Sequence, residues 1–223
     1  MSRSYRVRHG MVPRWQALGV GTSEGARLAT ESDVAGMAKS LSLAFHDDPV
    51  MQWVFGDRPP RPMRFAEPFF ASEGRRHLGH GHVYTLDGTP GAAYWDPPGR
   101  WKTHLRDMLH MAPLMLRGTG FRAINAARGF GRVEKAHAAH PAHYYLAVLG
   151  TRPDRQGEGL GSALMAPVLD RCDEEGVGAY LESSKESNIP YYRRHGFEVV
   201  GEIDFPSGPR LWGMWRDPRP PGG

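Results

Sequence analysis

Residues 146–164 read Leu146-Ala147-Val148-Leu149-Gly150-Thr151-Arg152-Pro153-Asp154-Arg155-Gln156-Gly157-Glu158-Gly159-Leu160-Gly161-Ser162-Ala163-Leu164. The front of this stretch belongs to a β-prone run, 143–151, of the kind that makes a buried strand. Its back opens a helical pattern, 159–175, that ends at Gly176 and carries Pro167 at some cost in backbone bonding. Between the two, glycines at 157, 159 and 161 let the main chain curl with no Cβ in the way. Several N–H groups can then converge on one oxygen-rich anion at the positive end of the helix. Strand, phosphate or pyrophosphate cradle, helix is the resulting order. A P-loop would need Gly-Lys before Ser or Thr, and the chain contains no Gly-Lys. The dinucleotide fingerprint would need Gly or Ala where Ser162 stands.

Downstream, a strand is expected over 179–183, a short helix over 189–195, and a closing strand pair over 197–204 and 210–216. Upstream, a short strand, 26–29, leads to Thr30 with Asp33 three residues on, a helix start. Val34, Met37, Ala38, Leu41, Ala44 and Phe45 then form one apolar stripe that ends before His46-Asp47-Asp48-Pro49. After turn-rich residues 56–62 a second helix is expected over 64–78. Residues 82–86 and 91–95 read as a hairpin around Asp87-Gly88, stopped by Pro97-Pro98. From Trp101 the pattern is helical with a kink at Pro113, and a further helix is expected over 121–140, closed by Pro141. Strands alternate with helices around a mixed sheet, an α/β arrangement.

The chain has 223 residues, 40% hydrophobic and 23% charged, enough for one full core. Residues 1–25 read as a basic, poorly ordered arm, 26–216 as a single domain, and 217–223 as a Pro/Gly tail. The formal charge is +4, and the arm, with Arg3, Arg6, Arg8 and Arg14 against Glu24, supplies +3 of it. The body is therefore nearly balanced, which argues against a nucleic-acid partner. No apolar run is long enough to cross a bilayer, and no signal-peptide pattern opens the chain, so a cytoplasmic protein without a membrane partner is expected. Cys172 is the sole cysteine, which excludes an internal disulfide and a cysteine metal cluster.

The flanks of the glycine turn carry a resemblance. Gln156-x-x-Gly159-x-Gly161 is similar to the signature of the GNAT superfamily of N-acetyltransferases, Gln or Arg, two residues, Gly, one residue, Gly or Ala. Asn188-Ile189-Pro190-Tyr191-Tyr192-Arg193-Arg194-His195-Gly196-Phe197 resembles that family's second element, an Asn before a helix with Tyr, three residues, Gly-Phe. Within the superfamily the run from Tyr145 to about Gly213 looks closest to puromycin N-acetyltransferase-like enzymes. The likeness lies in the glycine turn, Leu181-Glu182-Ser183-Ser184 and the Pro-Ser-Gly-Pro-Arg before the last strand.

The resemblance implies a GNAT acyl-CoA N-acyltransferase fold, a central, mixed, mostly antiparallel sheet flanked by helices. It implies acetyl-CoA as cosubstrate and no metal. Leu149, Gly150 and Thr151 would pair with the pantetheine arm, the amides of Gln156, Gly157, Glu158, Gly159, Leu160, Gly161 and Ser162 would hold the pyrophosphate, and Asn188 would lie near the pantetheine. Tyr192 stands where the family's general acid reprotonates the thiolate, a role suited to a phenol. Glu182, at a strand end beside the cleft, is the candidate general base through water, with a structural or substrate-orienting carboxylate as the equal alternative. The insertion, 101–142, with Met108, Met111 and Met115, would wall the acceptor pocket, and Trp95 and Asp96 are candidate acceptor contacts. The acceptor implied is a small-molecule amine, antibiotic-like by resemblance, and the protein a monomer or homodimer. Two other readings are a protein or peptide N-acetyltransferase and a non-catalytic acyl-CoA sensor. His137, His140 and His143 recur at three-residue steps, but Pro141 breaks any common helical face, which argues against a metal site. His77, His80 and His82 sit with Gly79 and Gly81, which likewise argues against a metal site.

Overall fold

The computed structural model describes residues 25–55, 61–102 and 123–219. Most of the basic arm, part of the turn-rich segment, the helix expected beyond Trp101 with its methionines, and the end of the tail lie outside the described residues.

The elements follow in the order β1 (Arg27–Leu28), α1 (Val34–Ala44), α2 (Pro49–Phe55), α3 (Arg61–Leu78), β2 (Val83–Thr85), β3 (Gly91–Asp96) and α4 (Ala123–Ala138). Then come β4 (His143–Thr151), α5 (Leu160–Glu175), β5 (Gly178–Ser183), α6 (Ile189–Arg194), β6 (Glu198–Asp204) and β7 (Arg210–Arg216). The strands form one sheet in the order β1-β2-β3-β4-β5-β7-β6. Its neighbours are antiparallel except β4 and β5, which run parallel. A parallel pair needs a crossover, and α5 supplies it.

Each face of the sheet is covered for a reason visible in the sequence. Along α5, Leu160, Leu164, Met165, Val168, Leu169 and Cys172 are buried, a stripe at helical spacing that packs on Trp95, Leu146 and Leu181. Gly176 ends α5 in the left-handed region at φ 68°, its N–H returning to Cys172 O. On the other face, Val34, Met37, Ala38 and Leu41 of α1 pack with Val54 and Phe55 of α2, Phe70 of α3, and Val83, Ala92 and Tyr94 of the sheet. The Thr30 and Asp33 capping box forms, with Thr30 N–H and hydroxyl both donating to Asp33 Oδ2, and a short 3-10 turn precedes α1.

Helix α2 has no counterpart in the sequence reading, which took His46-Asp47-Asp48-Pro49 only as a stop. The same residues are also a start. Asp48 Oδ1 accepts the N–H groups of Val50 and Met51 at 2.9 Å each, and Pro49 occupies the first helical position, where its missing N–H costs nothing.

Helix α6 is fixed to the sheet by one buried cation. Arg216, 2% exposed, donates to Asp173 Oδ1 and Oδ2 at 2.8 Å each and to His195 O at 3.0 Å. This ties the end of β7 to α5 and to the residue after α6. Replacing Arg216 by methionine should lower stability by about 2 kcal/mol, less than a fully buried pair because the Asp173 side chain keeps 27% exposure. Urea unfolding measures it, and a loss under about 0.5 kcal/mol would show that the clamp is dispensable.

Candidate active site

Strand β4 is the centre of the site because its two edges end differently. Against β3 it is paired from Asp96↔Tyr145 to Gly91↔Thr151, with Ala147 left out where Tyr94↔Val148 and Trp95↔Leu146 bracket an irregularity. Against β5 it is paired only from His143↔Gly178 to Leu146↔Leu181. Beyond that point β5 continues with β7, through Glu182↔Gly213 and Ser183↔Trp212. A bulge bends a strand and increases its twist, so the skipped Ala147 coincides with the separation of the two strands. Residues 147–151, among them Leu149, Gly150 and Thr151, thus keep one edge unpaired with any strand. Gly150 packs closely there, since a Cβ would stand 2.9 Å from the side chains of both Leu41 of α1 and Phe45 just after it.

From this edge the chain enters the glycine turn. Arg152 N–H bonds Pro90 O at 2.8 Å, Pro153–Arg155 form one 3-10 turn, and Gln156 Nε2 reaches back to Thr151 O at 3.5 Å. Gly157 and Gly159 have φ 86° and 79°, left-handed values that side chains with a Cβ rarely adopt. A Cβ on Gly157 would meet nothing within 4 Å, so the turn is open to solvent. The first amide of α5 with a partner behind it is Ala163, to Gly159 O at 3.1 Å. Among the described residues, the N–H groups from Gly157 to Ser162 therefore have no acceptor. Glu158 is held aside by Arg155 at 2.7 Å. Leu160 is buried and anchors the helix, while Gly161 lets Tyr191 pack closely, its hydroxyl 2.6 Å from where a Cβ would be. Ser162 Oγ lies 3.0 Å from His195 Nε2. Burial lowers the His195 pKa to about 4, so the ring is neutral.

Asn188 is exposed and precedes α6, while Tyr192, on that helix, is 9% exposed. The Tyr192 hydroxyl makes no hydrogen bond with the described residues and is not sealed from solvent. Burial raises its pKa, with smaller contributions from Tyr191 and from the charge of Asp48. The phenol therefore keeps its proton across the neutral range. Asp48, which caps α2, also accepts a hydrogen bond from Ser184 after β5, and Lys185 pairs with Asp47 at 2.6 Å. These contacts tie the α1–α2 corner to the end of β5. Sequence reading missed them, although Asp-Pro before an apolar run was the available signal.

Glu182 points to the face opposite α5 and meets Tyr145, Tyr180 and His137. Trp95 and Asp96 are both fully buried. Trp95 lies in the core under α5, with Nε1 unpartnered, and Asp96 Oδ1 lies 2.5 Å from His80 Nδ1 and 3.5 Å from His77 Nε2. Neither side chain reaches the solvent-open edge of the cleft. Among the described residues no group of three or more His, Cys, Asp or Glu is placed to hold a metal ion.

A parted parallel pair beside a turn of unclaimed amides offers an anion site at a helix start next to a free strand edge. The model of the acetyltransferase (GNAT) family matches residues 92–197, from β3 to the start of the last strand pair. An uncharacterized N-acetyltransferase of Schizosaccharomyces pombe is 26% identical over 181 residues, 77% of this chain and 73% of that one. An L-methionine sulfoximine/L-methionine sulfone acetyltransferase of Pseudomonas aeruginosa is 33% identical over 69 residues, 30% of this chain and 39% of that one. A crystal structure of a histone acetyltransferase HPA2 and related acetyltransferase from Corynebacterium glutamicum superposes with a TM-score of 0.64 at 21% identity, covering 91% of this chain and all of that one. The sheet is the GNAT fold, residues 92–197 are similar to the GNAT acetyltransferase family, and the chain is an acyltransferase.

Proposed function

We propose that the protein transfers the acetyl group of acetyl-CoA directly to the amine of a small molecule, as a single cytoplasmic catalytic domain over residues 26–216. The observation that carries this reading is the row of amides from Gly157 to Ser162 without acceptors, next to the unpaired edge of β4. Together they fit a diphosphate joined to an extended amide-bearing arm. When bound, acetyl-CoA supplies a thioester whose carbonyl carbon accepts the amine. Leu149, Gly150 and Thr151 offer main-chain groups to the arm, the amides of 157–162 grip the diphosphate while that of Gln156 is taken by Pro153 O, and the exposed Asn188 lies near the arm. Tyr192, protonated at neutral pH, gives its proton as the C–S bond breaks, and Glu182 takes the amine proton through water. The Pseudomonas relative's name specifies a small amine acceptor, which supports the choice of substrate class. An antibiotic-like acceptor rests on the puromycin-type motifs alone.

A thiol-release screen with acetyl-CoA across puromycin, aminoglycosides, methionine sulfoximine, agmatine and peptide amines tests the proposal. A small amine should turn over at least about tenfold faster than the peptides, and Glu182→Gln should slow that turnover by about tenfold or more. Exclusive turnover of peptides, or no thiol release from any amine, would contradict the substrate class. An undiminished rate in Glu182→Gln would remove that carboxylate from the reaction.

A further inference from the structure

Arginines stand on both sides of the open glycine turn, and the two sides differ in what holds their charge. On the side where β4 enters, Arg152 is bound to Asp154 and Arg155 to Glu158, at 2.7 Å each, so residues 152–158 carry no net charge. On the side of α6, Arg193 lies 3.4 Å from Glu198, and Arg216 is held by both oxygens of Asp173. Arg194 and Arg219 remain. Both are exposed, and neither guanidinium has a carboxylate partner among the described residues, since Arg219 places its main-chain N–H rather than its side chain on Asp173.

Both cations lean on residues that touch the turn. Arg194 lies over the ring of Tyr191, 5.5 Å from its centroid, and the hydroxyl of that ring packs 2.6 Å from where a Cβ on Gly161 would be. Arg219 approaches Gly196, which has φ 89° and where a Cβ would stand 2.8 Å from the Arg219 Nη2. His195, between the two, faces Ser162 Oγ through Nε2 at 3.0 Å. Its lowered pKa follows first from burial and then from the charges of Arg194, Arg219 and Arg216, with no carboxylate opposing them. The potential beside Ser162 is therefore positive, and Ser162 is the last of the amides without an acceptor.

In coenzyme A the diphosphate is joined to an adenosine that carries a third phosphate on its 3′ oxygen. That group is mostly a dianion at neutral pH and stands one ribose away from the diphosphate. The ribose can leave the turn on either side. Over residues 152–158 the phosphate would meet Asp154 and Glu158 together with the arginines, and like charges repel. Over α6 it meets two cations with no competing carboxylate. A guanidinium gives phosphate two parallel N–H bonds, and one already stacked on a tyrosine loses less freedom in doing so.

We propose that Arg194, assisted by Arg219, binds the 3′-phosphate of coenzyme A, with the adenosine lying along α6 rather than over residues 152–158. The protein thereby tells coenzyme A from nucleotides that lack this group. The proposal rests on the glycine turn holding the diphosphate and adds the direction in which the nucleotide leaves it. Arg194 sets the choice of cosubstrate and takes no part in the transfer itself.

Calorimetric titration of the full chain with coenzyme A and with 3′-dephospho-coenzyme A, at one ionic strength, tests it. The parent should bind coenzyme A at least about tenfold more tightly, as one or two hydrogen bonds to a charged oxygen require. Arg194→Gln should bring the ratio to within about twofold by weakening coenzyme A alone, and Arg219→Gln should reduce it by about threefold. Arg152→Gln, on the opposite side, should keep the parental ratio. Equal affinities in the parent would overturn the proposal before any variant is made. Equal weakening of both nucleotides in Arg194→Gln would overturn it too, making Arg194 a support for Tyr191, and so would loss of the preference in Arg152→Gln. A parent that binds neither nucleotide would remove the turn as the diphosphate site together with the proposal, whereas equal binding of both would leave the turn standing.

Discussion

Replacing Tyr192 by phenylalanine is expected to lower kcat about a thousandfold while changing the KM for acetyl-CoA by no more than about twofold. The size is that of a general acid removed from a bond-breaking step, about 4 kcal/mol of barrier at 1.36 kcal/mol per decade. The selectivity follows because the phenol is used only as sulfur departs, so ground-state affinity is spared. Structure also makes the substitution clean. The Tyr192 hydroxyl has no partner among the described residues, so removing it strands no buried group, and the ring keeps its place beside Tyr191 and Phe197. Stability should stay within about 0.5 kcal/mol of the parent. The raised phenol pKa sets the pH dependence. The acid form is complete through neutrality, so the Tyr192-dependent step should not weaken until alkaline pH. A Tyr192→Phe enzyme with parental kcat would take the phenol out of the mechanism, and equal losses in kcat and acetyl-CoA binding would make Tyr192 a packing residue.

The second large effect is expected at Gly157, where valine should raise the KM for acetyl-CoA by about a hundredfold and leave kcat at saturation within about threefold. At φ 86° a β-branched residue is strained by roughly 1–2 kcal/mol or more, and the turn relieves that strain by rotating its peptides. Rotation redirects the Gly157 and Glu158 N–H groups. Each hydrogen bond to a charged oxygen is worth about 1.5–3 kcal/mol, so losing one or two accounts for the change. No side chain is pushed, because a Cβ on Gly157 meets nothing within 4 Å. The defect is thereby confined to the main chain. Initial rates over a wide range of acetyl-CoA decide the matter, and an unchanged KM would mean that the turn does not hold the cosubstrate.

The parts of this molecule that were readable before folding are those where local chemistry and tertiary need agree. The run from His143 to Thr151 and the Leu160 to Cys172 stripe carry their periods openly, and Gly176 and the Thr30 to Asp33 box mark ends that the structure keeps. The glycine turn was legible because positive φ selects for glycine in a way that burial does not. Helix α2 was missed since it is short and its start shares residues with the stop of α1, so one signal served two elements. That His137 joins Glu182 on one side and His143 on the other could not be seen. His137 and His143 meet only because Pro141 turns the chain back, the same residue that argued against their sharing a helical face. Strand-end position suggested Trp95 and Asp96 as acceptor contacts, but adjacent strand residues point to opposite faces and both faces are covered there.

Amide hydrogen exchange with and without coenzyme A tests the central claim most directly. Slowed exchange confined to the amides of 147–151 and 157–162 is the predicted result. Protection appearing elsewhere while those amides exchange as freely as in the unliganded protein would contradict it.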